Sequence, residues 1–124
     1  MKILLVDDEK ELVSTLAERL EIRGIDADWV TSGEEALKQA ELTFYDLAVL
    51  DIKIPRISGF SLKRQLQEKH PEMKFIFMTG HGCGYDFETG SAEAGAEDCL
   101  AKPLDITILI EKLNEVLKAP GGAL

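Results

Sequence analysis

No apolar run in this sequence approaches the ~20 residues that cross a bilayer, so no membrane insertion is expected. Basic residues never cluster. Lys and Arg number 14 against 23 Asp and Glu, a formal net charge of −9. A phosphate backbone would be repelled on average, so direct nucleic-acid binding is not expected. Cysteine is scarce: Cys83 and Cys99 stand alone, without CxxC spacing. Two free thiols in a reducing compartment are the expectation. The opening MKILLVDDEK has one Lys, then a short apolar run that stops in acids, with no small-residue cleavage site. It reads as a first strand and not as a secretory leader, which favours the cytoplasm. Internal linkers and low-complexity stretches are also missing.

What is present suffices for one domain. The 124 residues are 45% hydrophobic and 30% charged, enough for a core and a polar surface. Apolar runs and helical periodicities alternate along the chain. Lys2 to Val6 reads as a strand. In Glu9 to Gly24, Leu12, Val13, Leu16 and Leu20 fall at helical spacing, and Gly24 stops the helix. Ile25 to Val30 reads as a second strand. Ser32 opens a second helix, with Glu35 completing a capping box. Tyr45 to Leu50 is a third strand, and Phe60 to Lys69 a third helix ended by His70 and Pro71. Lys74 to Met78 is a fourth strand. Tyr85 to Ala94 could form a weak helix, flanked and interrupted by Gly84 and Gly90. Glu97 to Ala101 is a short fifth strand, and Pro103 leads into an amphipathic helix, ITILIEKLNEVLK. Strands alternating with helices predict a doubly wound α/β fold with a parallel sheet covered on both faces. PGGAL reads as a frayed tail.

Ligands of such sheets bind outside the carboxyl ends of the strands. Strand one ends in Asp7-Asp8, strand three in Asp51, strand four in Thr79, and strand five in Lys102-Pro103. Each has an ordinary alternative. Asp8-x-x-Glu11 fits a capping box, Asp51 could serve a turn before Pro55, Thr79 could satisfy loop backbone, and Lys102 could be a surface lysine. Their convergence on one sheet edge favours a site. Three close carboxylates repel unless a cation intervenes. Their hard oxygens suit Mg²⁺. An Asp beside the metal can act as a nucleophile toward phosphorus, and Lys102 and Thr79 can bind the other phosphoryl oxygens.

The acidic pair of LLVDDE, the DIKIPRISG stretch, the Thr of FMTGHG, the AGAED segment and the Lys-Pro of LAKPLD resemble the receiver domain of bacterial two-component response regulators. The resemblance covers essentially the whole chain, with residues 1–119 as the domain and 120–124 as a tail or the start of a linker. It implies a flavodoxin-like (βα)5 fold of strand order 2-1-3-4-5. It implies that Asp51 is the phosphoacceptor and that Asp8, Asp51 and the carbonyl of Lys53 bind Mg²⁺, with Asp7 acting through water. Thr79 and Lys102 would contact the phosphoryl group, and the Lys102–Pro103 bond would be cis. The donor would be a sensor histidine kinase or a histidine phosphotransfer protein. Output to an effector or output domain would pass through the face formed by the 85–94 helix, strand five and the C-terminal helix. A phosphorylation-dependent homodimer is a further implied form. The domain would phosphorylate and dephosphorylate itself without conventional enzymatic turnover. The chain would be a stand-alone receiver or the first part of a longer regulator.

Two positions depart from the pattern. Cys99 stands where many receivers carry Tyr or Phe, which suggests a muted aromatic switch. Lys53 stands where the family varies and tunes phosphoryl lifetime. His81 tempts as a metal ligand but reads as a solvated loop side chain. Among rival readings, a flavodoxin would meet repulsion at Asp7-Asp8-Glu9. A haloacid-dehalogenase-like phosphatase requires a DxD pair after strand one. A non-phosphorylated binding module predicts a degraded site.

Overall fold

The computed structural model describes residues 1–80 and 98–118. Five parallel strands form one sheet of order β2-β1-β3-β4-β5: β1 (Lys2–Val6), β2 (Asp26–Val30), β3 (Leu47–Asp51), β4 (Lys74–Thr79) and β5 (Asp98–Ala101). Helices α1 (Lys10–Ile22), α2 (Gly33–Leu42) and α3 (Gly59–Lys69) precede a C-terminal helix (Ile106–Lys118). The proposed 85–94 helix, His81, Cys83 and the 120–124 tail lie outside the described residues.

The sheet separates two cores. Successive side chains of a strand point to opposite faces, so Ile3, Leu5, Leu47, Val49, Ile76 and Met78 pack with α1 and the C-terminal helix. Leu4, Val6, Ala48, Leu50, Phe75 and Phe77 pack with α2 and α3. Both faces are covered, which is why these strands read as continuous apolar runs instead of alternating ones. Each fully buried side chain of this size contributes about 1.5–3 kcal/mol over its exposed state.

Helix boundaries follow local chemistry. After α1, Gly24 adopts φ 82, Gly24 N–H donates to Glu21 O at 3.0 Å and Ile25 N–H to Leu20 O at 2.9 Å. That is a Schellman stop, which requires a residue tolerant of left-handed backbone. Before α2, Ser32 Oγ accepts from Glu35 N–H at 3.1 Å. Glu35 reaches back to Thr31 N–H at 3.2 Å, one residue beyond the partner that a strict capping box uses. Ser58 caps α3 by accepting from Ser61 N–H at 3.1 Å. Asp105 caps the C-terminal helix, accepting from Thr107 N–H at 2.8 Å.

One strand boundary needs correction, and one of the ordinary alternatives falls away. The third strand begins at Leu47, not Tyr45, and it runs through Asp51. Tyr45 turns inward before the strand, its hydroxyl donating to Asp28 Oδ2 at 2.6 Å. Asp51 stays in the strand because it pairs with Met78 of β4. Asp8 is not the cap of α1: the cap position is Glu9, and it makes no side-chain capping bond.

Candidate functional site

Parallel strands bring their carboxyl ends to one edge, and β1, β3, β4 and β5 each deliver a polar residue there. Asp7 follows β1 and is fully buried, its N–H donating to Val30 O at 3.3 Å. Asp8, next in the chain, is exposed. Asp51 ends β3 and is 5% exposed. Thr79 ends β4, buried. Lys102 leaves β5 with its N–H donating to Thr79 O at 2.8 Å, and the Lys102–Pro103 bond is cis. Asp7, Asp8, Asp51, Thr79 and Lys102 are therefore brought to one edge of the sheet.

Carboxylate oxygens of Asp7, Asp8 and Asp51 all lie within 4.8 Å of one another. Lys102 Nζ sits among acids, 2.6 Å from Asp7 Oδ2, 3.0 Å from Glu9 Oε1 and 3.2 Å from Asp51 Oδ2. The Asp7 contact is an ion pair without hydrogen-bond angles, so the buried Oδ2 has no hydrogen-bond partner. Asp7 Oδ1 accepts from Glu9 N–H at 2.8 Å, and Asp51 Oδ1 from Lys53 N–H at 3.3 Å. The Lys53 residue itself is exposed.

Burial pushes the Asp7 carboxyl above its ordinary value, and Lys102 offsets only part of that. Asp51 is also raised by burial, again partly offset by Lys102. Burial alone would lower the Lys102 ammonium, but Asp7, Glu9 and Asp51 outweigh it and hold the group above its ordinary value. One ammonium thus faces more anionic charge than it neutralises. Three carboxylates that each bring an oxygen within 4.8 Å of the others, one of them with a buried oxygen lacking a hydrogen bond, fit a hard divalent cation with oxygen ligands.

The loop after β3 is built around Asp51. A Cβ added at Gly59 would lie 2.4 Å from the Asp51 carbonyl oxygen, so only glycine lets the chain return this close. Arg56 adopts φ 72, and its guanidinium pairs with Glu34 at 2.7 Å across to α2. An open groove lined by Asp8, Lys53, Pro55 and Ser58 borders the site.

Sequence reasoning missed three features. Glu9 is a third carboxylate on Lys102; its place directly after the acidic pair was the available signal. Lys63 is buried in α3, with its ammonium 2.7 Å from Gln67 Oε1. Cys99 is in a disulfide, and no described cysteine is free. This corrects the free-thiol expectation for Cys99 and removes the compartment argument built on it. Spacing along the chain excludes a CxxC motif, but pairing depends on approach in space.

The family profile described as response regulator receiver domain matches residues 3–114. The chain is 36% identical over 122 residues to the two-component response regulator PhoP of Pseudomonas aeruginosa, covering 98% of this chain and 54% of that protein. It is 35% identical to the transcriptional regulatory protein CpxR of Escherichia coli, covering 94% and 49% respectively. The chain thus spans about half the length of these curated relatives. Among solved structures, a CheY-like response regulator receiver domain from Methanospirillum hungatei aligns with TM-score 0.85 and 32% identity over 94% of this chain and 92% of that one. A two-component response regulator from Clostridium difficile aligns with TM-score 0.87 and 28% identity over 96% and 97%.

Proposed function

The chain belongs to the response regulator receiver domain family, and from that premise we propose that Asp51 is its phosphoacceptor. It is a signalling domain homologous to the PhoP and CpxR two-component regulators, and a phosphorylation-switch role fits it. In our reading the donor is a phosphohistidine on a sensor histidine kinase or a histidine phosphotransfer protein. An Asp51 carboxylate oxygen attacks phosphorus, the P–N bond breaks, and the imidazole leaves with the electron pair and is reprotonated. Lys102 binds a phosphoryl oxygen in exchange for its contact with Asp51, and the Thr79 hydroxyl donates to another. When bound, Mg²⁺ would offset the carboxylate charge and accept phosphoryl oxygens; Asp8, Asp51 and the Lys53 carbonyl would hold it, with Asp7 acting through water. Hydrolysis returns the carboxylate, so the domain resets itself without conventional turnover.

The observation that carries this reading is the cluster of Asp7, Asp8 and Asp51 carboxylates within 4.8 Å of one another, with Lys102 paired to Asp7 and Asp51 and the buried Asp7 Oδ2 lacking a hydrogen bond. We take residues 1–119 as the switch domain, working in the cytoplasm beside its donor. We assign output to the face of β5, the 85–94 segment and the C-terminal helix. It would pass to an effector, to an output domain or to a second copy. The test is to incubate the chain with acetyl phosphate and Mg²⁺, with Asp51→Asn as control, and to measure intact mass and oligomeric state. A gain of one phosphoryl group in the parent alone is expected. No gain in the parent, or an equal gain in the control, overturns the assignment.

A further inference from the structure

Among the described residues Lys102 has three carboxylate partners, and they are not equivalent. Asp7 and Asp51 belong to the set that suits a divalent cation. A cation there would repel the ammonium and compete for the same carboxylates. Glu9 is the one partner outside that set, 3.0 Å from Lys102 Nζ. Its side chain is 65% exposed and makes no capping bond to α1, although it stands at the cap position. Its backbone is tied to the same cluster through the Glu9 N–H bond to Asp7 Oδ1, 2.8 Å long. Both halves of Glu9 therefore engage the site, and among the described residues its carboxylate has no other hydrogen-bond or ion-pair partner.

We propose that Glu9 is a positioning residue: once a divalent cation occupies the other carboxylates, Glu9 keeps the Lys102 ammonium beside Asp51 until a phosphoryl oxygen arrives. An exposed pair suits this task. It is weak enough to yield to the incoming group, yet it spares Lys102 from being reordered during the transfer. The backbone of Lys102 is already fixed by its bond to Thr79 O, 2.8 Å, so only the side chain needs holding. The proposal rests on Asp51 being the phosphoacceptor.

The experiment compares the parent, Glu9→Gln, Glu9→Asp, Lys102→Ala and the Glu9→Gln, Lys102→Ala double variant. Phosphorylation by acetyl phosphate at saturating Mg²⁺ is followed by intact mass. Glu9→Gln should slow it roughly two- to fivefold, the size of one exposed charge pair. Glu9→Asp should restore part of the rate. In the Lys102→Ala background Glu9→Gln should have no further effect. An unchanged or faster rate in Glu9→Gln, or a slowing that persists without Lys102, overturns the proposal. The Lys102 Cε–Hε resonances are measured in parallel with Mg²⁺ alone. They should move in Glu9→Gln, and unmoved resonances overturn it as well. If the parent takes up no phosphoryl group, the phosphoacceptor reading fails, and the resonances decide whether Glu9 holds Lys102.

Discussion

At the amino end of the sheet Lys2 pairs with Asp26 at 2.9 Å and Asp28 at 3.8 Å. At the carboxyl end Lys102 lies 2.6 Å from Asp7, 3.0 Å from Glu9 and 3.2 Å from Asp51. Each end sets one lysine among acids, but the surroundings differ. The amino-end groups are open to water, and each has a partner that suits it. Lys2 N–H donates to Asp46 Oδ2 at 2.8 Å, and Asp28 accepts from the Tyr45 hydroxyl. Burial, then Asp28, pushes Tyr45 up to about 12, so it remains a neutral donor at any ordinary pH. At the carboxyl end Asp7 and Asp51 are buried, and one ammonium is shared between them. Charges that satisfy each other in water cost and contribute little. Excess buried charge of one sign is costly, and its persistence marks a place where a cation or anion must come and go.

The largest effect should come from removing the ammonium at the buried end. Lys102→Ala leaves Asp7 and Asp51 facing each other without compensation, and should cost about 3 kcal/mol of metal-free stability in urea unfolding. Added Mg²⁺ should return much of it. A cost below about 1 kcal/mol, the range of exposed pairs, would place both ends in the same class and break the comparison.

Removing an acid there should do the opposite. Asp51 has a folded-state value raised above 3.8, chiefly by burial. The folded state therefore binds protons more readily than the unfolded state between 3.8 and that raised value. Stability from this group is fully present below 3.8 and is lost as pH rises through the folded value. At neutral pH the charged carboxylate is a net burden, and Asp51→Asn should stabilise the metal-free protein by about 1 kcal/mol. The gain should shrink as pH falls through that window. Mg²⁺ should stabilise the parent and not the variant. Urea midpoints across a pH series check this, and a gain that is constant with pH would remove burial of the charge as its cause.

Much of this contrast is legible in the sequence. The apolar runs of β1, β3 and β4 are strands because both faces are covered, and the parallel order then brings Asp7, Asp51, Thr79 and Lys102 to one edge without further information. Ser32 and Gly24 mark helix ends through local bonds that depend on near neighbours alone. The rest depended on distance in space. Glu9 looks like any acid opening a helix until Lys102, 93 residues away, is seen beside it. Tyr45 looks like strand until Asp28 is seen to draw its hydroxyl inward. Cys99 looks like a free thiol because sequence separation does not encode approach.

The smallest effect should be at the amino end, and it is the sharpest check. Lys2→Ala removes an ammonium whose side chain is 30% exposed, from acids that are 57% and 37% exposed. Water re-solvates all of them. The backbone of residue 2 keeps its anchor, because Lys2 N–H still donates to Asp46 Oδ2 and Asp46 N–H to Lys2 O, 2.9 Å. The urea midpoint should stay within measurement error of the parent, and the phosphorylation rate should not move. Raising the salt concentration should alter the parent and Lys2→Ala nearly alike, since an exposed pair contributes little for salt to remove. If Lys2→Ala instead destabilised the fold as much as Lys102→Ala, exposure would not be what separates the two lysines. The excess of carboxylates over Lys102 would then no longer single out the carboxyl end as the site of chemistry.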